Sequence, residues 1–286
     1  MIPKVRGFYH EDSGTVSYVV AEPGGRRCAI IDPVLDFDPN SGRTATVSVD
    51  EIVDFVRDKQ LEVEWLLETH AHADHFSAAS YLKAKLGGRI AIGATIVLVQ
   101  RLWKEIYNLP ADYPADGSQF DHLFGDGERF SIGALEARVM ETPGHTPANI
   151  SYIAGDAAFI ADTIFQPDFG TARCDFPGGS ARALYRSIRR ILALPPETRL
   201  FTGHDYMPGG RDPAWESTVA EQRSSNPHLK DDLPEEEFVA MREARDATLP
   251  MPRLILQSLQ ININAGRLPP PEKNGVSYLR IPLNRL

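Results

Sequence analysis

The sequence predicts an α/β protein with two mixed sheets flanked by helices. Two observations carry the prediction. Apolar runs of strand length alternate with stretches of helical periodicity along most of the chain. Several of the predicted strands also run directly into a histidine or an aspartate, so the framework delivers polar side chains from separate strand ends.

Thr15–Ala21 reads as a strand, Glu22-Pro23-Gly24-Gly25 as a turn, and Cys28–Asp32 as the hairpin partner. A polar loop with Pro39, Asn40 and Gly42 follows. Val49–Lys59 has helical periodicity, with Ile52, Val53 and Val56 on one face. Val63–Thr69 reads as a buried strand, Phe76–Leu86 as a helix stopped by Gly87-Gly88, Arg89–Ile92 as a strand and Thr95–Tyr107 as a helix. Ala137–Thr142 is predicted as a strand ending at Pro143-Gly144-His145. Ile150–Ile153 and Ala158–Ala161 form a hairpin around Gly155-Asp156, Ala181–Leu194 a helix, and Arg199–Thr202 a strand ending at Gly203-His204. Asp231–Glu237 reads as an acidic helix start, where carboxylates suit the positive end of the helix dipole. Arg253–Ala265 fits either a helix or an extended run, and Leu268-Pro269-Pro270-Pro271 is stiff and extended. The composition shift near Pro250 divides the chain into a catalytic domain, 1–250, and a C-terminal extension, 251–286.

The 286 residues are 42% hydrophobic, enough for a sizeable core. No apolar run approaches the roughly 20 residues of a membrane-spanning helix, and no apolar signal core follows Met1–Gly7. Cys28 and Cys174 cannot build a disulfide framework, so a reducing cytoplasm is the expected location. A net charge of −9 argues against nucleic acid as a partner.

The strongest chemical signal is Thr69-His70-Ala71-His72-Ala73-Asp74-His75. In an extended strand end His70 and His72 point the same way, and the following turn brings in Asp74 and His75. His145, Asp162 and His204 arrive from three other strand ends. Imidazole and carboxylate suit Zn, Fe and Mn, so these seven residues are expected to form a metal site. His10 and His122 are placed in polar surface loops, Cys28 in the core, Cys174 as a buried thiol, and Gly125-Asp126-Gly127 in a turn.

The order His-x-His-x-Asp-His, Pro-Gly-His, aspartate after a strand, and Gly-His resembles the metallo-β-lactamase superfamily over roughly residues 8–206. The resemblance implies an αβ/βα sandwich with the metal at one sheet edge. Thr171-Ala172-Arg173-Cys174-Asp175, Phe176-Pro177-Gly178-Gly179, Gly203-His204-Asp205-Tyr206 and Glu221–Pro227 are similar to the persulfide dioxygenases and their bacterial β-lactamase-like hydrolase relatives. That likeness implies oxidation of glutathione persulfide by O2 and water to sulfite and glutathione. It also implies one non-haem Fe(II), with zinc as the alternative metal. The implied ligands are His70, His145 and Asp162, supported by His72, Asp74, His75 and His204. Arg173, Tyr206 and Arg223 are the implied substrate-binding residues, whereas His228 replaces an arginine found after Asn-Pro in some short members. The competing expectation is a glyoxalase II-type hydrolase of glutathione thioesters, using all seven positions for two metals with Asp162 bridging. Leu254, Ile255, Leu256, Leu259, Ile261 and Ile263 require burial on the body or on a second subunit, and a homodimer is the expected assembly.

Overall fold

The computed structural model describes residues 1–229 and 233–286. In the first half, β1 (Lys4–His10), β2 (Thr15–Ala21) and β3 (Arg27–Ile31) form an antiparallel meander. A small hairpin, β4 (Val34–Asp38) and β5 (Arg43–Ala45), precedes helix α1 (Val47–Asp58). Then follow β6 (Glu62–Leu67), the two-residue β7 (Phe76–Ser77), α2 (Ala79–Leu86), β8 (Arg89–Gly93), α3 (Ile96–Ile106) and β9 (His122–Phe124). The second half contains β10 (Arg129–Ile132), β11 (Leu135–Glu141), β12 (Ile150–Ala154), β13 (Ala157–Ala161), α4 (Ala181–Leu192), β14 (Arg199–Thr202) and β15 (Glu216–Thr218). It closes with α5 (Val219–Ser225), α6 (Glu235–Asp246) and α7 (Ile255–Asn262).

Two mixed six-stranded sheets result, ordered β1-β2-β3-β6-β8-β9 and β10-β11-β12-β13-β14-β15. Alternation along the strands decides which layer each side chain joins. Val16, Tyr18 and Val20 of β2 face the second sheet and meet Tyr152, Phe159 and Phe201. Val19 and Ala21 point the other way, into a core shared with α1, α2, α3 and α7. The outer face of the second sheet is covered by α4, α5 and α6 through Leu184, Ile188, Val219 and Phe238. Helices thus cover the outer faces of two sheets whose inner faces pack together, as predicted. No helix among the described residues is long and apolar enough to cross a membrane.

Several local expectations change. The polar segment after Asp38 is the turn of the β4–β5 hairpin, tightened by Asp38, whose carboxylate accepts from Asn40 N–H and the Ser41 hydroxyl. The helix expected from Phe76 begins at Ala79, because Phe76 and Ser77 pair with β4 instead. His10 and His122 are not loop residues. His10 ends β1 with Nε2 3.3 Å from Asp36, and His122 lies in β9, bonded to Glu128 and edge-on to Trp65. Arg253–Ala265 contains a helix, and Ile255, Leu259, Ile261 and Ile263 are buried in the chain's own first core. Of the acidic helix start, Asp231 and Asp232 lie outside the described residues, while Glu235, Glu236 and Glu237 occupy the first turn of α6.

Candidate metal centre

The seven predicted residues converge at one edge of the sandwich. His70, His72, Asp74 and His75 lie between the end of β6 and β7, in an irregular segment rather than a strand continuation. His70 and His72 are still neighbours, with ring centroids 4.1 Å apart. His145 follows β11 through the Pro143-Gly144 turn, where a side chain at residue 144 would collide with the Leu184 backbone at 2.4 Å. Asp162 leaves β13 through Ala161, held at φ 50°, and a Cβ at Gly203 would lie 2.4 Å from its carboxylate. Glycine is therefore needed beside this acid. His204 follows β14, and its backbone bridges to Thr15.

Ligand-type atoms of His70, His145 and Asp162 all lie within 4.8 Å of one another, and all three residues are buried. The tautomers follow from the hydrogen bonds. Thr69 gives its hydroxyl proton to Asp32 Oδ2 at 2.7 Å, so its oxygen accepts from His70 Nδ1 at 3.0 Å. His70 Nε2 is then an unprotonated, buried nitrogen without a protein partner. His145 Nδ1 donates to the carbonyl of Arg173 at 2.8 Å, which leaves its Nε2 lone pair facing Asp162 at 3.6 Å. Burial, reinforced by the charge on His72, holds the His70 pKa well below its ordinary value. Burial likewise lowers that of His145. Two neutral imidazoles and one carboxylate form a donor set that fits a divalent transition metal with positions left open.

The other four residues are held differently. His72 Nε2 lies 3.0 Å from Asp32 and 3.4 Å from Glu68. Burial opposes its charge, but these two carboxylates outweigh burial and raise its pKa well above the usual value. His204 bonds Asp162 through Nδ1 at 2.7 Å and Asp74 through Nε2 at 2.8 Å. The same balance favours its cationic form. In return, His204 holds the Asp162 carboxyl well below the usual range against the opposing effect of burial. Asp74 Oδ2 also accepts from the Thr15 hydroxyl at 3.0 Å and lies 3.0 Å from His75 Nδ1. Burial lowers the His75 pKa to about 4. His72, Asp74 and His75 themselves form a second group of ligand atoms within 4.8 Å of one another.

Four supporting residues escape sequence reasoning. Asp32 binds the backbone N–H and hydroxyl of Thr69, orienting His70 at one remove. Its signal was available: a lone acid at the end of an apolar strand, as with Asp162. Glu68 accepts from Ser77 and faces His72. Thr15 touches Asp74, His75 and His204. Asn262, in α7, donates to the carbonyls of His72 and His75, each at 2.8 Å, and accepts from Ser77 N–H. Thr15 and Asn262 carry no local pattern that marks them.

A cavity of about 480 Å³ opens on this centre, with Asp74, His145, Asp162 and His204 at its metal end. Of the predicted substrate-binding residues, Arg173 and Tyr206 line it and Arg223 does not. Tyr206 stacks on His204 at 5.7 Å with the rings nearly parallel. Arg173 forms a two-pronged pair with Asp175, 2.6 Å on each prong, and donates to the carbonyl of Pro250. Arg223 instead donates to the Leu192 carbonyl, satisfying the C-terminal end of α4. His228 accepts from Thr171 N–H at 3.1 Å, a structural link beneath the cavity wall.

This fold and ligand set define the class: the chain belongs to the metallo-β-lactamase superfamily, whose family model matches residues 11–204. It is 59% identical over its whole length to a beta-lactamase hydrolase-like protein of Agrobacterium fabrum and spans 66% of that protein. It is 50% identical to glyoxylase B2 of Dictyostelium discoideum, covering 99% of this chain and 98% of the relative. It is 27% identical to the mouse mitochondrial persulfide dioxygenase ETHE1, covering 93% of this chain and 90% of the relative. The crystal structure of ETHE1 from Myxococcus xanthus superposes with a TM-score of 0.73 at 28% identity, covering 93% of this chain and 100% of that one.

Proposed function

We propose that the chain is a persulfide dioxygenase that converts glutathione persulfide, O2 and water to glutathione and sulfite at one Fe(II). The observation that supports this reading is the asymmetry of the seven residues. His70 and His145 each offer a free Nε2 beside Asp162; His72 and His75 also have ring nitrogens without a hydrogen-bond partner, but His72 lies 3.0 Å from Asp32 and 3.4 Å from Glu68, and both nitrogens of His204 are hydrogen-bonded. A set of two imidazoles and one carboxylate would suit a mononuclear oxygenase site. Iron(II) held there would bring sulfur and O2 together and pass charge between them.

The protein's own groups do the rest. Thr69 and the Arg173 carbonyl fix the two ligand rings, and His204 keeps Asp162 ionised and oriented. Phe165, Phe169 and Phe176 dry the cavity wall. Asp74 is the least buried of the seven and lines the cavity. In the overall change, the S–S bond breaks, the terminal sulfur gains three oxygens, O2 is reduced, and two protons leave. Within residues 251–286, helix α7 completes the first core and clamps the His72–His75 segment, so this part of the chain belongs to the catalytic unit. Ile255, Leu259, Ile261 and Ile263, on which the expectation of a homodimer rests, are buried in the chain's own core and supply no face for a second subunit.

A second reading, a dinuclear glyoxalase II-type hydrolase of glutathione thioesters with zinc, is favoured by the His72, Asp74 and His75 group and by the hydrolase and glyoxylase names of similar relatives. Metal content and O2 uptake on glutathione persulfide separate the two. One iron per chain with rapid O2 consumption supports the dioxygenase. Two zinc ions, no O2 uptake and cleavage of S-lactoylglutathione overturn it.

A further inference from the structure

Part of the cavity wall is built from the end of α6 and the segment that follows it. Arg242, Arg245, Pro250 and Arg253 line it, and Arg173 adjoins them through its bond to the Pro250 carbonyl. Four guanidinium groups around one cavity are unexpected in a chain of net charge −9. The carboxylates at the cavity, Asp74 and Asp162, are both already bonded to His204.

The four arginines are not equivalent. Arg173 is paired with Asp175. Arg242 is buried, paired with Asp246 at 2.7 Å and bonded to the Thr171 carbonyl. Arg245 and Arg253 are exposed and make no side-chain hydrogen bond or ion pair among the described residues. Other arginines, such as Arg43, Arg57 and Arg101, likewise have no carboxylate partner among the described residues; Arg245 and Arg253 differ from them in lining the cavity. Pro250 and Pro252 restrict the backbone that presents Arg253. Arg253 also borders a smaller recess formed with Asp74 and His75.

We infer that Arg245 and Arg253 are the anion-recognition groups of this cavity and select a substrate bearing carboxylates remote from its sulfur. The inference deepens the proposed function and rests on it for the substrate class, a carboxylate-bearing thiol derivative. It relocates the cationic role predicted for Arg173. A guanidinium already closed on Asp175 positions that loop and the His145-bonding carbonyl of residue 173, while two unpaired guanidiniums meet the ligand's charge. Charge-assisted bonds of this kind, made partly out of water, carry more weight than neutral ones.

The test uses reduced glutathione as the probe, so it does not depend on turnover. Its binding to the metal-loaded protein is measured by calorimetry for wild type, Arg245→Gln, Arg253→Gln and the double variant, with glutathione diethyl ester, which keeps the α-ammonium but lacks both carboxylates, as the control. Each single variant is expected to weaken glutathione binding about tenfold, and the double variant more. The ester should lose no affinity in the double variant. Arg253→Lys should recover part of the loss. Equal glutathione binding by wild type and double variant, equal losses for glutathione and ester, or no binding by wild type overturns the assignment. Failure of the dioxygenase reading is separate: it shows as absence of O2 uptake, and leaves the binding comparison intact.

Discussion

The side-chain amide of Asn262 donates to the backbone carbonyl of His72, 190 residues earlier, at 2.8 Å. Its second hydrogen reaches the His75 carbonyl and its oxygen takes the Ser77 N–H. Asn262→Ala leaves three buried backbone groups without partners, so the segment carrying four of the seven polar residues loses its clamp. The expected result is a loss of about 2–4 kcal/mol in stability and a fall in metal affinity of roughly 10–100-fold. Denaturant titration and a competitive metal-binding assay measure the two effects. Unchanged metal affinity would show that Asn262 serves the fold alone.

Removing metal should lower Tm, because a ligand that binds only the folded state stabilises it by mass action. His70→Ala and Asp162→Asn should abolish the recovery seen when Fe(II) or Zn(II) is added back. His72→Ala should keep much of the metal-dependent shift if His72 serves Asp32 and Glu68 rather than the metal. Loss of the shift in that variant would favour the dinuclear arrangement.

Acid should weaken the fold through His228. Burial holds its pKa at about 4, against 6.5 for the free side chain. Between those values the unfolded chain binds the proton and the folded one does not, so stability falls as pH drops from about 6.5 to about 4 and is fully present above that window. Partial exposure reduces the effect to about 2 kcal/mol. His228→Gln should flatten this part of the stability–pH curve, and an unchanged slope would refute the assignment.

Both cysteines should be silent in the native protein. Burial pushes the Cys28 thiol up to about 12 and raises Cys174 as well. At pH 8 neither should react with iodoacetamide until the chain unfolds, whereas both should react in denaturant. Mass spectrometry of intact protein reads the outcome directly.

A chain ended after residue 250 should not fold. Ile255, Leu259, Ile261 and Ile263 are each under 5% exposed in the first core. Their burial contributes about 6–12 kcal/mol, comparable with the whole stability of an ordinary domain. A soluble, cooperatively melting truncated chain would contradict this.

The sequence was most legible where residue type and position carried the same message. A histidine-rich segment after an apolar run, and lone ligands at later strand ends, marked all seven residues of the centre. The strands of the two sheets that were fully buried could also be read directly. Short or edge elements, such as β5, β9 and β15, could not, because three residues in each leave no period to detect. The segment 34–45 looked like a loop because its turn residues outnumber its apolar ones. What holds the ligands was hidden for a different reason. Thr15 and Asn262 gain their roles only when distant segments meet, and no neighbouring residue announces them. Arg173 and Arg223 looked suited to a ligand by type alone, but one has a carboxylate two residues away and the other a helix end within reach.

The contacts of Thr15 with His204 and of Asn262 with His72 also fix an order of events in the cell. During synthesis, the first histidines leave the ribosome well before the residue that clamps them. At ordinary elongation speeds the 190 residues between His72 and Asn262 represent a delay of roughly 10–40 s. Throughout that interval the histidines are present but uncaged. Closure of the centre therefore waits on the last part of the chain, because the clamp on the His72–His75 segment forms only once Asn262 has arrived.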